Sequence, residues 1–294
     1  MSERKFCRVL IPGALSTVQD LGRFGYQRFG IGTSGVMDEE AARAANYLVG
    51  NEPGAAVLEM TVAGAKLEFF TDGQIALAGA DMGAALNGEP VLRGRTVDIS
   101  AGDVLQLGFA RSGCRAYLAF GGGIAVPPVM NSRSTNLRCG LGGYEGRALR
   151  AGDELAVYEA PAVAVRECAL PVYEPEILLG FVPGPQDDMF SAGALRLFCE
   201  AEYTVSPQSD RMGCRLEGPA LEAPGGTDIV SDGIAFGAIQ VTNAGLPIVL
   251  LADRQTTGGY AKIGTVVSAD LPKLAQAMPG TRVRFARVDG GDME

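Results

Sequence analysis

Asp253, Arg254, Gln255, Thr256 and Thr257 follow directly on the apolar run at 246–251, and Gly258, Gly259, Tyr260 and Lys262 come close behind. The apolar run has Ile248 and Val249 at its centre and predicts a strand buried on both faces. Polar groups delivered by a rigid strand onto a glycine-bearing loop suit a binding site, because glycines let backbone N–H groups approach a ligand closely. The competing reading is a tight hairpin whose Asp and Gly only satisfy turn geometry. The density of polar and glycine residues, with Lys262 next to them, keeps the binding reading level with it.

The chain has no histidine in 294 residues. That removes the side chain best suited to proton transfer near neutral pH and the commonest metal ligand. Ser-His-Asp and Cys-His nucleophilic catalysis within this chain are excluded. Any base must be a carboxylate, Lys, Cys or Tyr of shifted pKa, or must come from a partner. Lysine is scarce too, with Lys5, Lys66, Lys262 and Lys273 the only four, so one of them falls in the segment just described. A net charge of -9 argues against nucleic acid or an anionic membrane as partner. An anionic small molecule would have to be held by local arginines. The six cysteines are scattered without a Cys-x-x-Cys pair, so reduced thiols in a cytoplasmic protein are expected and no metal site is. The N-terminal residues lack the apolar core of a signal peptide, and no run reaches transmembrane length.

The elements that must position these residues are mostly strands. Short alternating or apolar runs recur at 65–70, 74–78, 104–108, 115–120, 154–157, 177–181, 247–251 and 282–287, separated by turn signals such as Asp72-Gly73 and Asn87-Gly88. The triplet Ala-Gly-Asp occurs at 101–103 and again at 151–153, each time leading into an alternating strand. Two helices are predicted. Asp38 caps one that carries Ala41, Ala45, Leu48 and Val49 on one face and ends at Gly50; the other runs over about 187–199. Pro161, Pro171 and Pro175 punctuate a connector over 159–175, which divides the chain into residues 1–165 and 166–294.

Two further polar clusters stand out. In the first half, residues 12–26 bring Gln19, Asp20 and Arg23 together among glycines, and Ser34-Gly35-Val36-Met37-Asp38 feeds into the capped helix. Asp38 is an ordinary N-cap in one reading. In another, an exposed helix start beside Arg23 is an anion site. In the second half, the loop 206–213 carries Asp210 and Arg211.

Taken in order, the motifs resemble one family. They are Thr17-Val18-Gln19-Asp20-x-Gly22-Arg23-x-Gly25-Tyr26, Ser34-Gly35-x-Met37-Asp38, Ala45-Asn46-x-Leu48-Val49-Gly50-Asn51, Leu58-Glu59-x-Thr61, Tyr117-Leu118-Ala119-x-Gly121-Gly122, Ser132-x-Ser134-Thr135, Arg211-Met212-Gly213-x-Arg215-Leu216 and Gln255-Thr256-Thr257-Gly258-Gly259-Tyr260. The family is the biotin-dependent carboxyltransferases, also called allophanate hydrolase subunit 2, and the resemblance runs from about Val9 to Phe285. It implies a mainly β fold with a few helices (α+β), built of two cyclophilin-like β-barrel halves. The chain is most similar to the branch whose assembly opens the lactam of 5-oxoproline to glutamate with ATP hydrolysis. The resemblance therefore implies partners, a B-type (KipI-like) and an A-type (LamB/YcsF-like) subunit, and ATP used by the complex. No Gly-x-x-x-x-Gly-Lys-Ser/Thr occurs in this chain, and no Met-Lys site for covalently attached biotin does either. Phosphorylating a lactam oxygen creates a leaving group, a step that needs charge stabilisation.

Three positions depart from the family pattern. Ala261 stands where many members have proline, Asn131 where glycine is usual, and the stretch near Asp187 lacks a histidine that relatives often carry. A proton transfer that uses that histidine is not expected here. Asp253 and Lys262 are the candidates for proton transfer or charge stabilisation. Arg211, Gln240, Gln255, Thr256, Gly258, Gly259 and Tyr260 are candidates for holding the small-molecule substrate, with Arg23, Ser34 and Asp38 as a second cluster. Two other readings stay open: a carboxyltransferase served by a separate biotin carrier, as in urea carboxylase, and a KipA-like regulator that binds a kinase-inhibitor homologue.

Overall fold

The computed structural model describes residues 2–288. The fold is mainly β, and the chain divides into two compact units, Met1–Gly25 with Thr33–Tyr173 and Tyr26–Gly32 with Glu174–Glu294. The connector expected over 159–175 belongs to the first unit as far as Tyr173. Backbone bonds explain this: Thr96 N–H donates to the Arg166 carbonyl at 3.0 Å and Cys168 N–H to the Gly94 carbonyl at 2.9 Å.

Among the described residues the first unit has strands β1 (Glu3–Ile11), β2 (Leu15–Gln19), β3 (Val57–Thr61), β4 (Lys66–Phe69), β5 (Gly73–Asp81), β6 (Ala85–Leu86), β7 (Glu89–Pro90), β8 (Thr96–Ile99), β9 (Val104–Gln106), β10 (Ser112–Phe120) and β11 (Glu154–Tyr158). They form a six-stranded sheet, β11-β1-β4-β9-β6-β7, and a five-stranded sheet, β2-β3-β10-β5-β8. Phe6, Leu67, Phe69, Leu105 and Val157 of the first sheet meet Leu58, Ile75, Leu77, Leu118 and Phe120 of the second in one core. Phe6, Phe69 and Phe120 stand edge-on, with centroids 5.2–6.5 Å apart.

Strand alternation gives the five-stranded sheet a second buried face. Ala76, Ala78, Tyr117 and Ala119 point the other way and are covered by Ala41, Ala45 and Leu48 of α1 (Glu39–Leu48). Asp38 caps α1 as the sequence predicts, its side chain accepting from Ala41 N–H at 2.9 Å. The two Ala-Gly-Asp triplets build the same turn twice. Asp103 and Asp153 each accept through Oδ2 from the N–H three residues earlier, at 2.7 Å. Gly102 and Gly152 take φ of 92° and 93°, a conformation that favours glycine.

The second unit carries β12 (Glu176–Pro183), α2 (Ala192–Glu200), β13 (Tyr203–Val205), β14 (Gly213–Glu217), β15 (Asp228–Gly233), β16 (Ala238–Val241), β17 (Pro247–Leu250), β18 (Thr257–Tyr260), β19 (Lys262–Val266), α3 (Leu271–Ala275) and β20 (Arg282–Arg287). Seven strands close a barrel in the order β12-β19-β16-β17-β14-β13-β20, sealed by the parallel pair β12–β20. A closed barrel leaves no edge to template another chain. Its core is aromatic: Phe198 of α2 stacks on Phe285 at 4.4 Å, and Phe181 and Tyr203 complete the cluster. The helix expected over 187–199 starts later, with Ser191 as N-cap at 3.1 Å from Ala194 N–H. The apolar strand expected at 247–251 is β17, a barrel strand with Val249 and Leu250 buried. β15 and β18 pair as a separate two-stranded ribbon.

Candidate functional site

β19 leaves the ribbon strand β18 through Ala261 and carries Lys262 at its first position. The ammonium is buried, with 5% of the side chain exposed, and it donates to Asp232 Oδ2 at 3.1 Å. Asp232 lies on β15 and is 57% exposed. The ammonium beside it, and next the Gly233 N–H, hold its carboxyl below the usual carboxylate range. A lysine ammonium has three N–H donors, and one is used among the described residues.

The loop after β12 closes over the same point. Gln186 Oε1 accepts from the Lys262 backbone N–H at 3.1 Å, and Gly184 N–H donates to Ile263 O at 3.0 Å. A side chain at Gly184 would overlap the Lys262 carbonyl, so glycine alone allows this approach. Sequence reasoning missed Gln186; its signal is Gly184-Pro185, a turn dipeptide placed straight after a buried strand. Gln240 lies directly opposite Lys262 in the β16–β19 pair, and its amide donates to Tyr260 O at 3.1 Å. Gly258 faces that amide closely enough that a Cβ would lie 2.8 Å from its nitrogen.

Gln186, Asp232, Gln240, Gly258, Tyr260 and Lys262 therefore share one polar corner of the barrel. The glycines reach it differently from the expectation. Residues 257–260 form strand β18, paired with β15, and Gly258 and Gly259 are not among the left-handed glycines.

Asp253 has a different place. It accepts from Arg211 Nε at 2.8 Å and Nη2 at 3.2 Å, with the two side chains only 9% and 4% exposed. The Asp253 N–H also donates to Arg211 O at 2.9 Å. Asp253 and Arg211 thus form a buried two-point ion pair that joins the segment after β17 to the loop before β14. Proton transfer by Asp253 and substrate binding by Arg211 both compete with that pair. Gln255 and Thr256 are half-buried on the connection to β18, where the Thr256 carbonyl accepts from Ile234 N–H at 3.1 Å.

The second predicted cluster is built into the first unit. Arg23 is fully buried and donates to the carbonyls of Val129 at 3.0 Å and Ser134 at 2.8 Å. It is a cross-brace, and the expected anion site beside it is not formed by an exposed guanidinium. Beyond capping α1, Asp38 donates its N–H to Tyr117 Oη at 2.8 Å, and that phenol donates to Glu59 at 2.9 Å. Burial, and then Glu59, push the Tyr117 pKa well up, so it stays a neutral donor. Ser34 is buried at φ 52°, and its hydroxyl finds no hydrogen-bond partner among the described residues.

Fold and sequence together define the class. The chain matches the model of the carboxyltransferase domain, subdomain A and B, over residues 29–287, and it belongs to that family. It is 39% identical over 284 residues to the C-type subunit of 5-oxoprolinase from Escherichia coli (strain K12), covering 95% of this chain and 90% of that protein. It is 37% identical over 273 residues to the C-type subunit of 5-oxoprolinase from Haemophilus influenzae, covering 93% and 88%. The crystal structure of the K. lactis urea amidolyase superposes with a TM-score of 0.90 at 31% identity over 99% of this chain, which spans only 19% of that protein.

Proposed function

We propose that this chain is the C-type subunit of a 5-oxoprolinase, which opens 5-oxo-L-proline to L-glutamate with ATP hydrolysis. The observation that carries the reading is the likeness to two proteins named for that subunit, 39% and 37% identical over 95% and 93% of this chain, against 31% for the urea amidolyase structure. The lactam is an unstrained amide, so its opening requires activation of the carbonyl oxygen and stabilisation of the charge that develops on it.

Lys262 is the group suited to that stabilisation. Its ammonium is desolvated and fixed by β19, and its one carboxylate partner is a solvent-exposed side chain on the ribbon. An oxyanion or phosphoryl oxygen that displaces Asp232 meets a positive charge already in place, with two further N–H donors. Gln186 and Gln240 are neutral amides that can orient a lactam N–H and carbonyl without competing for the charge. Asp253 and Arg211 act by holding the connection to β18 in place. ATP binding and proton transfer fall to the A-type and B-type partners, since this chain offers neither histidine nor a P-loop.

A second reading has a specific observation behind it. The family description and the urea amidolyase superposition favour a carboxyltransferase that receives its carboxyl group from a biotin carrier on another chain. One experiment separates the two. The purified chain is mixed with its A-type and B-type subunits, and glutamate release from 5-oxoproline is followed with ATP present and absent. ATP-dependent release that needs all three proteins supports the proposal. Release by this chain alone, or none from the complete mixture alongside biotin-dependent carboxyl transfer, overturns it.

A further inference from the structure

A cavity lies within the first unit, lined by none of the residues of the Lys262 corner or of the Asp38 cap. Its volume is about 390 Å³, and Gly54, Gly122, Gly123, Arg133, Tyr158 and Glu159 are among its lining residues. That is within the size range of small-molecule sites. Three observations point to a ligand there.

Arg133 stands on a locked backbone. The carboxylate of Asp20 accepts from the Ser132 hydroxyl at 2.7 Å, and from the Ser134 hydroxyl and the Arg133 N–H at 2.5 Å. The serines of the Ser132-x-Ser134-Thr135 motif therefore fix the residue between them. Arg133 also carries charge without a counter-charge. Nε donates to Val126 O at 3.0 Å and Nη2 to Tyr158 Oη at 3.3 Å, and the guanidinium forms no ion pair among the described residues. Of its five N–H donors, three remain, including both on Nη1. Finally, Tyr158 Oη accepts from Arg133 and makes no other hydrogen bond among the described residues, so its own proton is free to donate to the same occupant.

Gly122 packs its backbone against that of Tyr158. Gly122 has φ 92°, and a Cβ there would overlap the Tyr158 carbonyl. Its N–H is held by Asn51 Oδ1 at 2.9 Å, which fixes the turn.

We propose that this cavity binds a small monocarboxylate through Arg133 and Tyr158. A planar carboxylate matches the fork of a guanidinium and takes the phenol proton as a third donor. A single negative charge is favoured over a phosphate dianion because exposed Glu52 and Glu159 also line the cavity and repel a doubly charged guest more. The site is independent of the 5-oxoprolinase reading and of the Lys262 corner.

Calorimetric titration of the full chain with sodium propionate, propionamide and inorganic phosphate tests it. Propionate is expected to bind saturably with Kd in the millimolar range, on the order of what so few atoms can support. Propionamide and phosphate are expected to bind at least tenfold more weakly. Arg133→Gln should abolish propionate binding. Tyr158→Phe, which leaves the Arg133 backbone bonds untouched, should weaken it about fivefold to tenfold, the scale of one hydrogen bond. If Arg133→Gln does not fold, Tyr158→Phe and the ligand comparison decide. No saturation by propionate, equal binding of the amide, tighter binding of phosphate, or unchanged affinity in the variants overturns the assignment.

Discussion

Replacing Asp253 by alanine tests how the loop after β17 is held. The variant would leave the Arg211 guanidinium, 4% exposed, without the carboxylate that now takes two of its hydrogen bonds at 2.8 and 3.2 Å. Breaking a buried ion pair by removing one partner typically costs about 3–5 kcal/mol, because the remaining charge stays desolvated. The backbone bonds Asp253 N–H to Arg211 O and Leu251 N–H to Met212 O survive the substitution, so the lower end, about 3 kcal/mol, is expected. This corresponds to a fall in thermal midpoint of roughly 6–12 °C. Urea titration followed by far-UV circular dichroism is the assay, since the chain has no tryptophan to report by fluorescence. The double variant Arg211→Met/Asp253→Leu removes both charges and should recover most of the loss. A cost below about 1 kcal/mol for Asp253→Ala, or a double variant no better than the single, would refute the structural role and return Asp253 to the catalytic candidates.

Three other outcomes are expected. Lys262→Ala should lower turnover of the reconstituted complex by roughly 10²-fold, the scale of a lost oxyanion-stabilising group, and turnover within about threefold of wild type would remove Lys262 from the mechanism. Among the thiols, exposed Cys139 should react with a thiol reagent in the native protein at about pH 8, while Cys7, whose pKa burial pushes up to about 12, should react only after denaturation; equal rates would contradict the burial. Burial pushes the Asp153 carboxyl up, but the Arg147 guanidinium and the Arg150 N–H outweigh it and leave its pKa below the unfolded 3.8. The stabilisation is therefore present above that pH and lost as pH falls through the lower folded value, so the deficit of Arg147→Met should be full at about pH 7 and shrink below about pH 4; a deficit constant down to about pH 3 would count against the pair.

Periodicity made the fold legible wherever burial and pattern agree. β4, β5, β10, β17 and β20 are all visible as alternating or apolar runs, and Asp38 is visible as a cap. β2 is not, because Thr17 and Gln19 are buried polar residues on it. Gln19 donates to Thr17 Oγ1 at 3.0 Å and to Thr135 O at 3.2 Å, the second partner lying 116 residues away. β18 is hidden for the opposite reason, since two adjacent glycines read as a loop and become a strand only by pairing with β15. The site shows the same division. Lys262 is picked out by rarity, and its neighbours Gln240 and Tyr260 by nearness in sequence. Gln186 and Asp232 lie 76 and 30 residues away and are brought in by the tertiary fold. The pairing of Asp253 with Arg211, 42 residues apart, is what changes its most economical role from proton transfer to scaffolding.

The two faces of the five-stranded sheet differ in bulk, and this has a consequence for how the chain finds its fold. Leu58, Ile75, Leu77, Leu118 and Phe120 fill one side, while Ala76, Ala78, Ala119, Val57 and a single tyrosine line the side beneath α1. A slip of one residue in any of β3, β5 or β10 would exchange the sides, driving leucine and phenylalanine into a layer sized for alanine and leaving a void opposite. A slip between β3 and β10 would also carry Tyr117 away from Glu59. Mispaired intermediates of this sheet are thus penalised twice, by crowding and by a stranded phenol. The helix acts as a proofreading plate that seats only on the correctly aligned strands.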